Sequence, residues 1–426
     1  MDLNRTILAP GVALTVLPAQ KFNRCRISIQ FQYGASRSEA TAQALLPLLL
    51  ERCYAGCPDM TQLSCKLAKL YGADLSVDLV GTGANRMLTV RVSGIRDEFA
   101  LNGEALTDEY AKIAFGTAFD PYLVDGAFDP EAVEIEKEKL TRHLEGEVND
   151  KRLYCVRQAR RRYFGNDPAG IQKDGYLDEM AELTPQRVTQ VYRQLLRTAN
   201  IEVMVLGADP APVQKMLEQA LAEVERQPVG LPAPSAQSPR PLEHFSEQME
   251  LVQAKLCMMY TAGRPSSPEE LAVCRLAMSL FGGSATSRLF LNVREKQSLC
   301  YYCGSSFMLA SGCMTVESGV EPANAQRAEQ AIQAELKALC EGPITEEELE
   351  DCRRGLLSGL ASVEDTLGGI EGWYALELLR GGRVQSPDEA RNALLRVTKE
   401  EVQEFLRRFT CSVSYLVTAK EAEAHD

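Results

Sequence analysis

RISIQFQY, Arg26 to Tyr33, alternates apolar and polar residues without a break. Ile27, Ile29, Phe31 and Tyr33 therefore share one face, the pattern of a strand with one side turned to a core. KLCMMY, Lys255 to Tyr260, is its counterpart in the second half of the chain. Each is followed by a turn and an apolar helical stretch, Thr41 to Leu50 and Glu270 to Leu280. A second helix and two more strands come next in both halves. They are Ala73 to Val80 and Met87 to Val92 in the first, Leu299 to Phe307 and Cys313 to Glu317 in the second.

The ends of the halves match as well. LTPQRVTQVYRQLLRTANIEVMVLG, from Leu183, and VTKEEVQEFLRRFTCSVSYLV, from Val397, each read as a Thr-capped helix running into a strand. Long helices start near Asp129 and near Thr345, where Thr345-Glu346-Glu347-Glu348 has the form of a capping box. Between the halves lies QPVGLPAPSAQSPRPLEHF, Gln227 to Phe245, with five prolines. Proline fixes φ and removes a backbone donor, so this stretch is expected to be extended and exposed. The division expected is 1–226, a linker at 227–245, and 246–426. Strands and helices segregate within each half. That predicts an α+β fold of two homologous halves, each an antiparallel sheet packed with helices.

Composition narrows the function classes. The chain has 426 residues, 45% apolar and 25% charged, the balance of a globular protein. A net charge of −13 argues against a general nucleic-acid or anionic-membrane binder. No apolar run is long enough to span a bilayer, and the amino terminus does not read as a signal peptide, so a cytoplasmic location is expected. The thirteen cysteines are an odd number in a large chain and read as reduced, mostly buried thiols. Histidine occurs only at His143, His244 and His425, too few for a histidine-rich metal centre. Arg157, Arg160, Arg161 and Arg162 form a basic cluster, read as a solvated helix face. Cys300 and Cys303 read as buried strand thiols.

The longest motif is FGGSATSRLFLNVREKQSLCYY, Phe281 to Tyr302. With the duplicated α+β plan, it resembles the insulinase-type (pitrilysin-like) zinc metallopeptidases over essentially the whole chain. The family pattern is a Gly-rich turn, then S-R-L-F, then R-E-K, then a tyrosine. Here these are Gly282 and Gly283, Ser287 to Phe290, Arg294 to Lys296, and Tyr301. In active members of that family the first half binds zinc through H-x-x-E-H on one helix face, with a downstream glutamate as third ligand. The glutamate of the motif activates the water. The equivalent stretch here is ALLPLLLERCYAGC, Ala44 to Cys57, where Pro47 and Glu51 stand for the histidines and Leu50 for the glutamate. Glu134, Glu136 and Glu138 lie where the third ligand would come from, and read as a solvated helix face. The resemblance therefore implies a degenerate member with no metal and no cofactor of its own.

Within the family, ALLPLLLE and KLAKLYGADLSVDL are similar to catalytically degenerate proteins associated with elongation-factor-P modification in Bacillus-type bacteria. Such proteins are expected beside a homologue that keeps the zinc motif. In the family the arginine and tyrosine of the second half close on the zinc site, holding a substrate carbonyl and donating to the developing oxyanion. The resemblance thus implies Arg294 and Tyr301 as residues acting in trans, and Gly282, Gly283 and Ser284 as a loop against an extended peptide or unfolded polypeptide. The expected function is a non-catalytic subunit of a heterodimeric peptidase. Its rivals are a peptide- or protein-binding scaffold without hydrolysis and, third, a stand-alone enzyme with a rearranged site.

Overall fold

The structure is a computed structural model that describes residues 3–234 and 236–420. The chain divides into two compact units. Of the described residues, the first holds 3–145, 171–233 and 370–372; the second holds 146–170, 234, 236–369 and 373–420.

The first unit is built on a six-stranded sheet. Its strands are β1 (Asn4–Ala9), β2 (Val12–Leu17), β3 (Arg24–Gly34), β4 (Asp74–Thr82), β5 (Asn85–Ile95) and, later in the chain, β8 (Asn200–Leu206). The two strands between, β6 (Leu123–Val124) and β7 (Ala127–Phe128), form a small separate hairpin. Sheet order is β1-β2-β8-β3-β5-β4, all antiparallel except β2 with β8. The alternation in β3 works as expected. Ile27, Ile29 and Phe31 are wholly buried in the core, together with Leu88, Val90 and Val92 of β5. The core is closed by α1 (Ala40–Leu50), α2 (Met60–Lys69), α3 (Leu106–Phe119), α4 (Pro130–Gly146), α6 (Pro185–Thr198) and α7 (Pro210–Ala222); the intervening α5 is Lys151–Phe164. The short stretch Ile370–Gly372 joins this unit through Glu371, whose buried carboxylate accepts from Arg26 Nη1 at 2.8 Å and Arg91 Nε at 2.7 Å.

The second unit carries β9 (Glu243–Met249), β10 (Ala254–Thr261), β11 (Cys300–Met308), β12 (Cys313–Val320) and β13 (Thr410–Ala419). Sheet order is β11-β12-β10-β13-β9, with β9 parallel to β13 and the rest antiparallel. One face is covered by α8 (Pro268–Met278), α9 (Ala325–Glu341), α10 (Glu346–Ser362), α12 (Pro387–Arg396) and α13 (Lys399–Leu406), with α11 (Leu367–Arg380) preceding α12. The capping box at Thr345 and Glu348 is formed. The halves are duplicated: the order β4-β5-β3-β8-β2 in one sheet repeats as β11-β12-β10-β13-β9 in the other, down to the parallel last pair.

Two features depart from a division at the proline-rich stretch. First, α5 belongs to the second unit. Cys155, Ala159 and Tyr163 recur along one stripe and pack on Cys257, Met259, Val413, Tyr415 and Val417, the face of the second sheet opposite its other helices. Second, residues 227–245 are extended but not a free tether. Arg226 donates to the Leu196 carbonyl at 2.6 Å and the Val229 amide to that of Thr198 at 2.8 Å. At the far end Glu243, His244 and Phe245 already pair with β13.

Candidate functional site

In the first unit the candidate site is the end of α1. Pro47 lies inside this helix, buried, and has no amide to give the Gln43 carbonyl one turn back. Leu50 is buried in the core. Glu51 caps the helix, its amide bonded to the Pro47 carbonyl at 3.1 Å. Burial raises the Glu51 carboxyl above the usual carboxylate range, and the charges of Asp74, Asp78 and Glu136 act the same way against a bond from the Val77 amide.

Among the three glutamates of α4, the expectation of a solvated face holds for two. Glu134 and Glu138 are exposed and pair with Lys137 and Arg142. Glu136 is only 2% exposed. It stands in line with Val133, Leu140 and Leu144, the buried stripe of α4, because residues three and four apart share a helix face. Its Oε1 accepts from Arg52 Nη1 at 2.5 Å and from Lys139 Nζ at 2.7 Å. The sequence carried this signal in the spacing of the apolar residues. The part of Arg52 had no signal beyond its place next to Glu51.

These residues do not fit zinc. A zinc site of this type needs two imidazoles and a carboxylate with free lone pairs. Pro47 offers no donor, Leu50 offers no base for a water, and the one buried carboxylate of α4 is already bonded to two cations. His143 lies on α4 beyond the ion pair, His244 pairs with Glu329 in the second unit at 2.7 Å, and His425 lies outside the described residues.

In the second unit the long motif lies on wide, π-helical turns, Ser279–Gly283 and Leu289–Lys296. Such turns are local departures from α-geometry that cluster at functional sites. Most of the motif is structural. Ser287, Leu289 and Val293 are wholly buried. Arg288 holds Glu348 with a fork, Nε to Oε1 at 2.6 Å and Nη2 to Oε2 at 3.1 Å. Gly282 is buried because a Cβ there would lie 2.8 Å from the Ser305 amide nitrogen and 2.7 Å from a Leu289 methyl. It lets the turn approach β11. Gly283 is exposed and Ser284 half-buried, with Ser284 Oγ donating to the Ser279 carbonyl at 3.0 Å.

Arg294 and Tyr301 are not fixed in this way, and the residues between them from Glu295 to Ser298 are exposed as well. Arg294 is partly exposed, over the Phe290 ring at 4.6 Å and with its Nε 3.5 Å from Glu295. Tyr301 is 57% exposed, and its hydroxyl donates to Glu321 over a long 3.4 Å. Both side chains hold only weak, solvent-side partners, so either is free to take a ligand group. Tyr301 also sits at a break in the β11–β12 register, where Cys300 faces Val320 and Tyr302 faces Gly319. This bulge turns Cys300 and Cys303 to the same buried side. A hydrogen bond from the Cys303 thiol, opposed by burial and helped by Ser318 and the Arg294 charge, brings the Cys300 thiol down to about 7. Simple strand alternation does not foresee this pair.

In the basic cluster of α5 the expected solvated face holds for Arg161 and Arg162, which are exposed, and not for Arg157 and Arg160. Arg157 pairs with Glu147, Arg162 lies over the Phe245 ring at 4.8 Å, and burial lowers Arg160 from the ordinary arginine value.

Comparison with known proteins accords with this picture. Residues 182–356 match the family model described as Peptidase M16 inactive domain. The chain is 23% identical over 412 residues to "Probable inactive metalloprotease YmfF" of Bacillus subtilis, covering 96% of each. It is 26% identical over 250 residues to "Uncharacterized zinc protease YmxG" of the same organism, covering 58% of this chain and 60% of that one. A crystal structure of a conserved protein from Enterococcus faecalis superposes with a TM-score of 0.92 at 25% identity, covering 99% of this chain and 100% of that one. Among the described residues no helix is long and apolar enough to cross a membrane. The likeness is therefore to the M16, insulinase-type peptidases, and over nearly the whole chain to a relative described as a probable inactive metalloprotease.

Proposed function

We propose that this chain is the non-catalytic subunit of a two-chain M16 peptidase, supplying Arg294 and Tyr301 to the zinc site of a homologue that keeps H-x-x-E-H. The observation that carries the reading is a contrast. The metal ligands are gone, and Glu136 is sequestered. Yet Arg294 and Tyr301 keep side chains open to solvent with weak partners, and of the open polar residues in the motif these two are the ones that the family resemblance assigns to substrate. A planar guanidinium can hold a peptide carbonyl or carboxylate bidentately, and a phenol can donate to an oxyanion. Gly283 and Ser284 offer backbone groups at the same turn, and Gly282 serves by letting that turn seat on β11. The peptide is proposed to bind extended, by adding to a sheet edge. β4 is favoured as that edge, since it is the outer strand beside the end of α1. A cytoplasmic location and a part in elongation-factor-P modification belong to this proposal and rest on the sequence resemblance.

The test is to isolate the chain gently from its native source and identify what accompanies it. A near-equimolar homologue with the zinc motif is expected. In the purified pair, Arg294→Ala should lower kcat/KM by on the order of 100-fold, as loss of one transition-state donor does, with unchanged zinc content. Unaltered turnover would remove the in-trans role. A chain that binds peptide, but never with a zinc-bearing homologue or with hydrolysis, would favour the scaffold instead.

A further inference from the structure

Glu136 presents a problem in electrostatics. A carboxylate 2% exposed must be paired with positive charge, because a lone buried anion is expensive in free energy. In a metal-bearing relative the ion would supply that charge. Here two side chains do so, and they are not equivalent. Lys139 is on the same helix, one turn along, with its side chain 56% exposed. Arg52 comes from a different element, with its side chain 19% exposed, and reaches Glu136 at 2.5 Å. Arg52 follows directly on the cap of α1, where its amide bonds the Leu49 carbonyl at 3.3 Å and a positive charge is favoured by the helix dipole.

We infer that the Arg52 guanidinium has taken over the place of the metal ion in this chain, binding the end of α1 to α4 through Glu136 and closing the site to divalent cations. Like a metal, it joins the first helix to the one that carries the third ligand. Unlike a lysine or histidine, it cannot yield by losing a proton, since arginine stays charged in proteins. Zinc entering here would share a carboxylate whose Oε1 already holds two cations and would sit against a fixed positive charge. The loss of metal is therefore not only a matter of the missing histidines. Restoring them is not enough while Arg52 is present.

The full chain tests this with four variants. Pro47→His with Glu51→His restores two imidazoles; the third change, Arg52→Ser, is made in that background; and Arg52→Met and Arg52→Lys are made singly. Each is incubated with zinc chloride, desalted and measured for zinc by mass spectrometry, with melting midpoints taken with and without zinc. The double variant should retain no stoichiometric zinc and show no shift. The triple variant should retain about one equivalent, as a three-ligand site does, and melt higher with zinc. Equal zinc in the double and triple variants, or none in either, overturns the inference. Should the triple variant fail to fold by circular dichroism, the single changes decide. Arg52→Lys should stay close to the parent midpoint and Arg52→Met should fall clearly below it; equal midpoints overturn the inference.

Discussion

Arg294 also acts within its own chain. Its charge is one of the influences that bring the Cys300 thiol down to about 7, behind the bond from Cys303. The thiolate is the reactive form, so alkylation of Cys300 should follow its titration. We expect labelling by iodoacetamide, followed by peptide mass spectrometry, to rise through pH 7 and level off by about pH 8. Removing the guanidinium in Arg294→Ala takes away stabilisation of the anion, so the inflection should move to higher pH. An inflection near the ordinary thiol value in the parent protein would refute the pairing across the bulge. At this scale the sequence was partly legible. Arg294 and Tyr301 were recognisable by their motif, and Pro47, Leu50 and Glu51 by what they replace. Glu136 was legible too, by its spacing from Val133 and Leu140, although the count of three glutamates pointed to solvent. Arg52 was not, because a pairing between residues 84 positions apart leaves no local trace.

Elements were legible where a period was clear, and their partners were not. β3, β10 and the paired strands after them lie close to where alternation put them. The amphipathic stripe of α5 says that the helix covers something apolar, but not which sheet; that is set by tertiary packing alone. The motif turn shows the same limit. Gly282 and Gly283 read as a mobile, peptide-facing pair, yet only Gly283 is exposed. A methyl group at position 282 would meet the Ser305 backbone, which cannot swing aside as a side chain could. Gly282→Ala should therefore cost about 1–3 kcal/mol, the usual range for overpacking a filled core. Gly283→Ala, with the Met278 carbonyl at 2.9 Å from the added carbon, tests whether exposure softens the same crowding. Urea melts of both variants check this. A Gly282→Ala protein as stable as the parent would mean that the turn is looser than its packing implies.

For the whole molecule, duplication was legible in sequence because the same order of periodic segments occurs twice, and the two sheets repeat one strand order. What the sequence hid is that the units are not continuous. The division expected at the proline-rich stretch runs 1–226 and 246–426, whereas 146–170, before that stretch, clusters with the second unit. A fragment of residues 234–426 would lack α5 and expose Cys257, Met259, Val413, Tyr415 and Val417 together. A contiguous apolar face of that kind on a sheet invites aggregation. Expressed alone, this fragment should be insoluble or bind a hydrophobic dye with weak near-ultraviolet dichroism. Produced together with residues 1–233, which bring α5, it should recover a soluble, near-equimolar complex. The same rescue should fail when Tyr163 in the first fragment is changed to Asp, because Tyr163 is wholly covered in that cluster and its hydroxyl bonds Thr261 at 2.8 Å. Aspartate there takes the ring out of the apolar cluster and puts a carboxylate among its side chains, with the Arg240 guanidinium, 5.7 Å from the ring, as the nearby cation. A fragment of 234–426 that folds cooperatively by itself would show instead that the second sheet and its outer helices suffice, and that α5 is an accessory rather than part of the unit's core.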